Sequence, residues 1–206
     1  DEPLETPICI GKTVLLNPGT KGKSLGQLDL RWEADGKIAN DDFQMLPLSE
    51  RLPDSPRMAA LLELYQQMLA SENVLEDLER VPPATGGTYV GSASCKGCHV
   101  EAYTIWQKSR HAHAYQTLVE KGHAKDPECL TCHTVGFSFQ TGFLNIDQTP
   151  DLTDVGCENC HGVGGNHVKN PQKGYGGVTK ADCLTCHTAE NSPKFKYEAY
   201  FPKIRH

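Results

Sequence analysis

Four copies of one five-residue pattern, all after residue 94, constrain what this sequence can build more than its composition does. They are Cys95-Lys96-Gly97-Cys98-His99, Cys129-Leu130-Thr131-Cys132-His133, Cys157-Glu158-Asn159-Cys160-His161 and Cys183-Leu184-Thr185-Cys186-His187. Two intervening residues set each pair of sulfurs at the separation of the two vinyl groups of one porphyrin, and the adjoining histidine is carried to the iron as its proximal ligand. The pattern predicts four haem c groups, attached through Cys95, Cys98, Cys129, Cys132, Cys157, Cys160, Cys183 and Cys186, with His99, His133, His161 and His187 on the irons. A zinc ribbon also uses Cys-x-x-Cys pairs, yet it has no need of a histidine directly after the second cysteine in every cluster. Iron–sulfur ligation fits no better, because its cysteine runs are spaced differently and carry no regular trailing histidine.

Nine histidines are present, so five remain once the motifs are served: His111, His113, His123, His167 and His206. An electron carrier benefits from a second axial ligand, since imidazole on both faces keeps the iron geometry fixed between oxidation states. All three methionines precede residue 69, far in sequence from the motifs. Distal ligands are therefore expected from histidine. His111 and His113 lie on a helix predicted over 100–121 and ending at Gly122, about 200° apart around its axis, so they are expected to serve two different haems. His167 closes the glycine-rich run Gly162-Val163-Gly164-Gly165-Asn166, which lets backbone fold closely over a macrocycle. His206 follows the aromatic residues Phe195, Tyr197, Tyr200 and Phe201, which can pack on porphyrin edges. His123, beside Gly122, is the spare.

The rest of the chain supplies little core. Residues 1–40 read as a small β meander, with turns at Asn17-Pro18-Gly19 and Asp35-Gly36 and an alternating strand over Ser24–Trp32. Between Asp54 and Arg80 apolar residues recur at three- and four-residue steps behind Ser55 and Pro56, which predicts a long amphipathic helix. Pro82-Pro83-Ala84-Thr85-Gly86-Gly87 cannot continue it. The expected organisation is a β meander plus long helix at 1–81, a linker at 82–88 and a tetrahaem cytochrome c domain at 89–206. The 112 residues from Cys95 to His206 are too few to bury a sizeable interior by themselves, so the fold class expected is a multihaem cytochrome c. Its backbone should be mainly helical and irregular around packed haems, behind a small α+β segment. Cys9, outside the motifs in an apolar strand-like setting, is expected to be a buried small hydrophobe.

The formal charge is −6 and there is no Lys- or Arg-rich run, which argues against a nucleic-acid partner. No apolar run reaches the length that crosses a bilayer. The chain starts at Asp1 without a leader, as a mature export product or a processed piece would. Haem c is attached after export, so a periplasmic or extracellular location is expected.

The stretch from Tyr89 to His206 resembles the multihaem cytochromes c that include the tetrahaem electron carrier of bacterial ammonia oxidation. The likeness rests on Tyr89-Val90-Gly91-Ser92, on Trp106 with Ser109-Arg110-His111-Ala112-His113-Ala114-Tyr115, on Cys157-Glu158-Asn159-Cys160-His161-Gly162 with His167, and on Phe195-Lys196-Tyr197 through Ile204-Arg205-His206. The resemblance implies that the non-motif histidines are distal ligands and that the haems stack in closely spaced pairs, with one haem left five-coordinate in some members. Residues 7–80, through Ile10-Gly11-Lys12-Thr13-Val14-Leu15-Leu16-Asn17-Pro18-Gly19-Thr20 and Leu25-Gly26-Gln27-Leu28-Asp29-Leu30, are similar to the end of the catalytic domain of calcineurin-like metallophosphoesterases of the 5′-nucleotidase type. The metal-binding Asp-x-His, Gly-Asn-His-Asp and Gly-His-x-His motifs of that family are absent, so phosphatase activity is not expected.

The reading that follows is an electron carrier working with redox protein donors and acceptors, with self-assembly into an oligomer or haem filament as an extension. The alternative is a multihaem reductase of a small nitrogen or sulfur oxyanion, which needs one iron with an open face.

Overall fold

The computed structural model describes residues 3–11, 13–35, 38–49 and 51–206, with backbone alone for 38–41. The chain divides into two units, Asp1–Ala60 and Leu61–His206, the division falling within helix α1 (Pro56–Ser71).

The first unit holds two separate antiparallel hairpins in place of the expected meander. Strands β1 (Ile8–Ile10) and β2 (Thr13–Leu15) pair with Ile8 opposite Leu15. Strands β3 (Ser24–Trp32) and β4 (Ile38–Pro47) pair from Ser24 opposite Pro47 to Trp32 opposite Ile38, with an irregularity at Arg31/Trp32. The turn at Asn17-Pro18-Gly19 is present: the Asn17 side-chain oxygen accepts the Gly19 N–H at 3.0 Å, and Gly19 has φ +84°. Gly36, in the second expected turn, and Lys12 lie outside the described residues. No apolar side chain among the described residues of this unit is fully buried, and Cys9 is exposed where a buried thiol was expected. Two-stranded hairpins of this kind have little independent stability in water.

Helix α1 begins as the sequence suggests, with Pro56 in its first turn and the Ser55 carbonyl accepting the Ala59 N–H, but it ends at Ser71 rather than continuing to Arg80. Asn73, at φ +49°, turns the chain, and Leu75 and Leu78 then join the core of the second unit. The helix expected over 100–121 is likewise broken. It becomes α2 (Val100–Gln107), a 3-10 turn over Arg110–His113 and α3 (Ala114–Lys121), which Gly122 caps at φ +77°. The break sits at Ser109, whose backbone is extended and whose hydroxyl donates to the Trp106 carbonyl at 2.6 Å, a local bond that competes with the helical ladder. The remaining helices are short: α4 (Pro127–His133), α5 (Cys157–His161), α6 (Gly165–Lys169), α7 (Lys180–Leu184) and α8 (Tyr197–Tyr200). Asp126 caps α4 by accepting the Glu128 N–H, with Pro127 at the first helical position.

Leu75, Leu118, Leu130, Val135, Phe137, Phe143 and Leu152 form one core cluster around α4. Backbone bonds from Val135 N–H to Leu152 O and from Phe143 N–H to Val135 O, both 2.8 Å, tie the loop after α4 into it. Beyond Leu152 no apolar side chain among the described residues is fully buried. The segment with the third and fourth motifs thus has no apolar protein core of its own, the condition under which bound cofactors fill an interior. Among the described residues no helix is long and apolar enough to cross a membrane.

Phe143 is fully buried, so Phe143→Ala is expected to cost about 3–5 kcal/mol through lost contacts and the cavity left behind. Chemical denaturation followed by far-ultraviolet circular dichroism measures this, and an unchanged midpoint would show that the cluster around α4 is not the core.

Candidate functional site

Each motif sits on a single turn of helix or its edge. His99 and His187 donate their backbone N–H to the carbonyls of Cys95 and Cys183 at 2.9 Å, while the second and third motifs lie within α4 and α5. One helical turn brings the first cysteine and the histidine, four residues apart, to the same side.

Three of the four motif histidines face an imidazole from elsewhere in the chain. His99 and His167 have ring centroids 6.1 Å apart, His161 and His206 5.7 Å, and His187 and His111 6.1 Å. Two metal–imidazole bonds of about 2.0 Å each, plus the distance of about 1 Å from each ligating nitrogen to its ring centre, give roughly 6 Å. The spacing is thus that of two imidazoles sharing one metal ion, and the residues fit a bis-histidine haem at three positions. His167 belongs to α6, His111 to the 3-10 turn and His206 to the final residues.

The rings are held in the orientation a ligand needs. His133 donates from Nδ1 to the Ala114 carbonyl at 2.7 Å, His161 to the Gly176 carbonyl at 2.5 Å, and His206 to the Ile204 carbonyl at 3.0 Å, while His187 Nδ1 lies 2.9 Å from the Ser192 hydroxyl. Each carbonyl contact places the proton on Nδ1 and leaves Nε2 free for a metal. Gly176 stands at φ +70°, and a Cβ there would lie 2.8 Å from the His161 Cβ, so only glycine brings its carbonyl this close. Tyr175 stacks on His167 at 4.4 Å and 10°, and Phe195 on His187 at 4.2 Å and 9°. Burial, followed by the nearby His187, lowers the pKa of His111, and burial lowers that of His187, so both favour the neutral form that ligates.

His133 has no facing imidazole among the described residues. His113, expected as a ligand, has no ring partner either; it and His133 both act electrostatically on Asp154, which accepts the Tyr115 N–H at 2.9 Å and whose carboxyl pKa is raised chiefly by burial. The spare His123 clusters with Asp126 and Cys129, their potential ligand atoms within 4.8 Å, and its Nδ1 is buried with no hydrogen-bond partner.

The motifs also touch one another. The Cys95 thiol donates a hydrogen bond to Cys157, which raises its own pKa and lowers that of Cys157, and the Cys132 thiol stands in the same relation to Cys186. Cys160 is pushed up to about 11, first by burial and then by Cys183 and other neighbours, so the third motif lies beside the fourth. Asn159 bridges the third motif to the second, its amide donating to the Thr134 carbonyl at 2.9 Å while its oxygen accepts the Gly156 N–H. Sequence reasoning passed over Asn159, Gly176, Ser192 and Tyr175, because the residues between the motif cysteines and in the loops carry no signature of their own. Polar residues at positions 158 and 159, where two other motifs have Leu-Thr, were the one available signal.

A family model described as cytochrome c554 and c-prime matches residues 94–162, the stretch carrying the first three motifs. The chain is 27% identical, over 161 aligned residues, to cytochrome c-554 of Nitrosomonas europaea, covering 59% of this chain and 68% of that protein. No solved structure matches. These likenesses support a cytochrome c with covalently bound haem c and a role in electron transfer.

Proposed function

We propose that this chain is an electron carrier holding four haem c groups through its four motifs, three of them between two imidazoles. The observation that carries the reading is the set of three facing pairs, each joining one motif histidine to one histidine outside the motifs at the spacing a shared iron requires. Haem c, when bound, supplies the ferric–ferrous couple. The chain does the rest: paired cysteines fix each macrocycle covalently, and facing imidazoles hold the iron geometry alike in both oxidation states. The Nδ1 contacts and the stacked Tyr175 and Phe195 keep those imidazoles from turning. The third motif adjoins the other three, through Cys95 of the first, Asn159 against Thr134 beside the second and Cys183 of the fourth, which supports electron exchange among closely spaced haems.

Redox proteins are the partners in this reading and the periplasm or cell exterior the location, because haem c is attached after export. His206 faces His161 of its own chain, so stacking of copies into a filament needs no ligand exchanged between them.

One observation favours a second reading, reduction of a small nitrogen or sulfur oxyanion. His133 lacks a facing imidazole, and an iron there would keep one face free for a substrate. Nitrite or carbon monoxide added to the reduced protein is expected to shift the absorption of one haem of the four; turnover of nitrite with a chemical reductant would favour the reductase over the carrier.

Electron paramagnetic resonance of the oxidised protein is expected to show three low-spin ferric centres and one high-spin centre. His111→Ala is expected to convert one low-spin signal, that of His187, to high spin. Four low-spin signals, one of them lost in His113→Ala, would instead place His113 on the iron of His133.

A further inference from the structure

One buried carboxylate has no part in the haem attachment just described. Glu158 occupies the first variable position of the third motif and is 5% exposed. It accepts the Val90 N–H at 3.2 and 3.0 Å on its two oxygens, the Gly91 N–H at 2.8 Å and the Gly164 N–H at 2.7 Å. All of these partners are backbone amides, and none is a cation. Each of these bonds satisfies a carboxylate oxygen that burial has taken out of water.

Those three amides belong to the two segments that build the first haem position. Val90 and Gly91 lead directly into the 3-10 turn Ser92–Cys95 that begins the first motif, and Gly164 begins the turn that presents His167 to His99. A Cβ at Gly164 would stand 3.1 Å from Glu158 Oε1, so this loop approaches the carboxylate as closely as backbone can. The neighbouring Gly165 N–H donates to the Thr88 carbonyl at 3.0 Å, closing the same junction from the other side. The charge of Glu158 is also felt at the attachment point: the Cys95 thiol is pushed up by its bond to Cys157, by burial, and by Cys157 and Glu158 as neighbouring charges. Tyr89 and Tyr175, which flank the junction, are raised by burial and then by Glu158.

We infer that Glu158, although part of the third motif, is the positioning residue of the first haem. It clamps the attachment segment and the His167 loop together and places a fixed negative charge beside the first and third haems. The inference rests on the proposed haem reading. A negative charge in a poorly solvated site stabilises ferric over ferrous iron, so this pair is held at lower potential than it would otherwise have. The two effects separate chemically, because glutamine loses both the charge and one of the two accepting oxygens, whereas aspartate keeps the charge and shortens the reach.

The test uses the haem-loaded protein and the variants Glu158→Gln and Glu158→Asp, with haem counted optically and potentials followed by redox titration under paramagnetic resonance. Both variants are expected to carry the wild-type haem count. In Glu158→Gln two of the four potentials rise while two stay, and one low-spin signal, the one that His167→Ala removes, shifts or turns high-spin. In Glu158→Asp the potentials return toward wild type while that signal stays altered. Should Glu158→Gln yield no loaded protein, the aspartate variant decides alone, with near-wild-type potentials and a changed His167 signal as the supporting result. Unchanged signals and potentials in both variants, or equal shifts at all four haems, would overturn the inference. A wild-type haem count other than four would instead remove the reading beneath it.

Discussion

The placement of paired imidazoles about 6 Å apart, a distance that matches two metal–nitrogen bonds on opposite faces of one ion, is the constraint on which the proposed reading of the second unit depends. His167, His206 and His111 each reach a motif histidine from a different part of the chain, and the backbone between the motifs is arranged to deliver them. This explains features that are poor by the ordinary standards of a protein interior. Helices of four to eight residues, extended loops and the absence of any fully buried apolar residue after Leu152 describe a chain folded around something other than itself. The one conventional core, around Phe143 and Leu130, lies beside the second motif, where no facing imidazole is present. Among the described residues the apolar core lies beside the motif histidine without a facing imidazole, and the facing pairs involve the motifs outside that core.

Much of the site was legible in the sequence because the chemistry is local. A cysteine pair and its adjoining histidine lie within one helical turn, so the pattern can be read without knowing the fold. His167 and His206 were also reachable, one from the glycines before it and the other from the aromatic residues leading to it. The premise behind His111 does not hold in the structure. Its angular offset to His113 assumes one continuous helix, but Ser109 breaks that helix and the 3-10 turn sets His111 independently. His113, placed by the same premise, meets no second imidazole.

What escaped sequence reasoning were the partners that hold each ligand still. The Gly176 carbonyl on His161, the Ser192 hydroxyl on His187 and the ring of Tyr175 on His167 are ordinary loop residues whose roles exist only once the chain has folded. The same is true of Glu158, whose amide partners lie 67 and 68 residues earlier in the chain as well as close by. In the first unit the strand over Ser24–Trp32 followed from its alternation, while the meander did not: each strand paired only with its sequence neighbour, leaving two hairpins with exposed faces. Helix α1 shows the same limit, since apolar spacing continued past Ser71 but the backbone at Asn73 did not.

Iron held by thioether-linked porphyrin is the central claim, and the intact mass of the denatured protein tests it most directly, because only covalent attachment survives unfolding. The account predicts the polypeptide mass plus four haems. A mass equal to that of the bare polypeptide would contradict it.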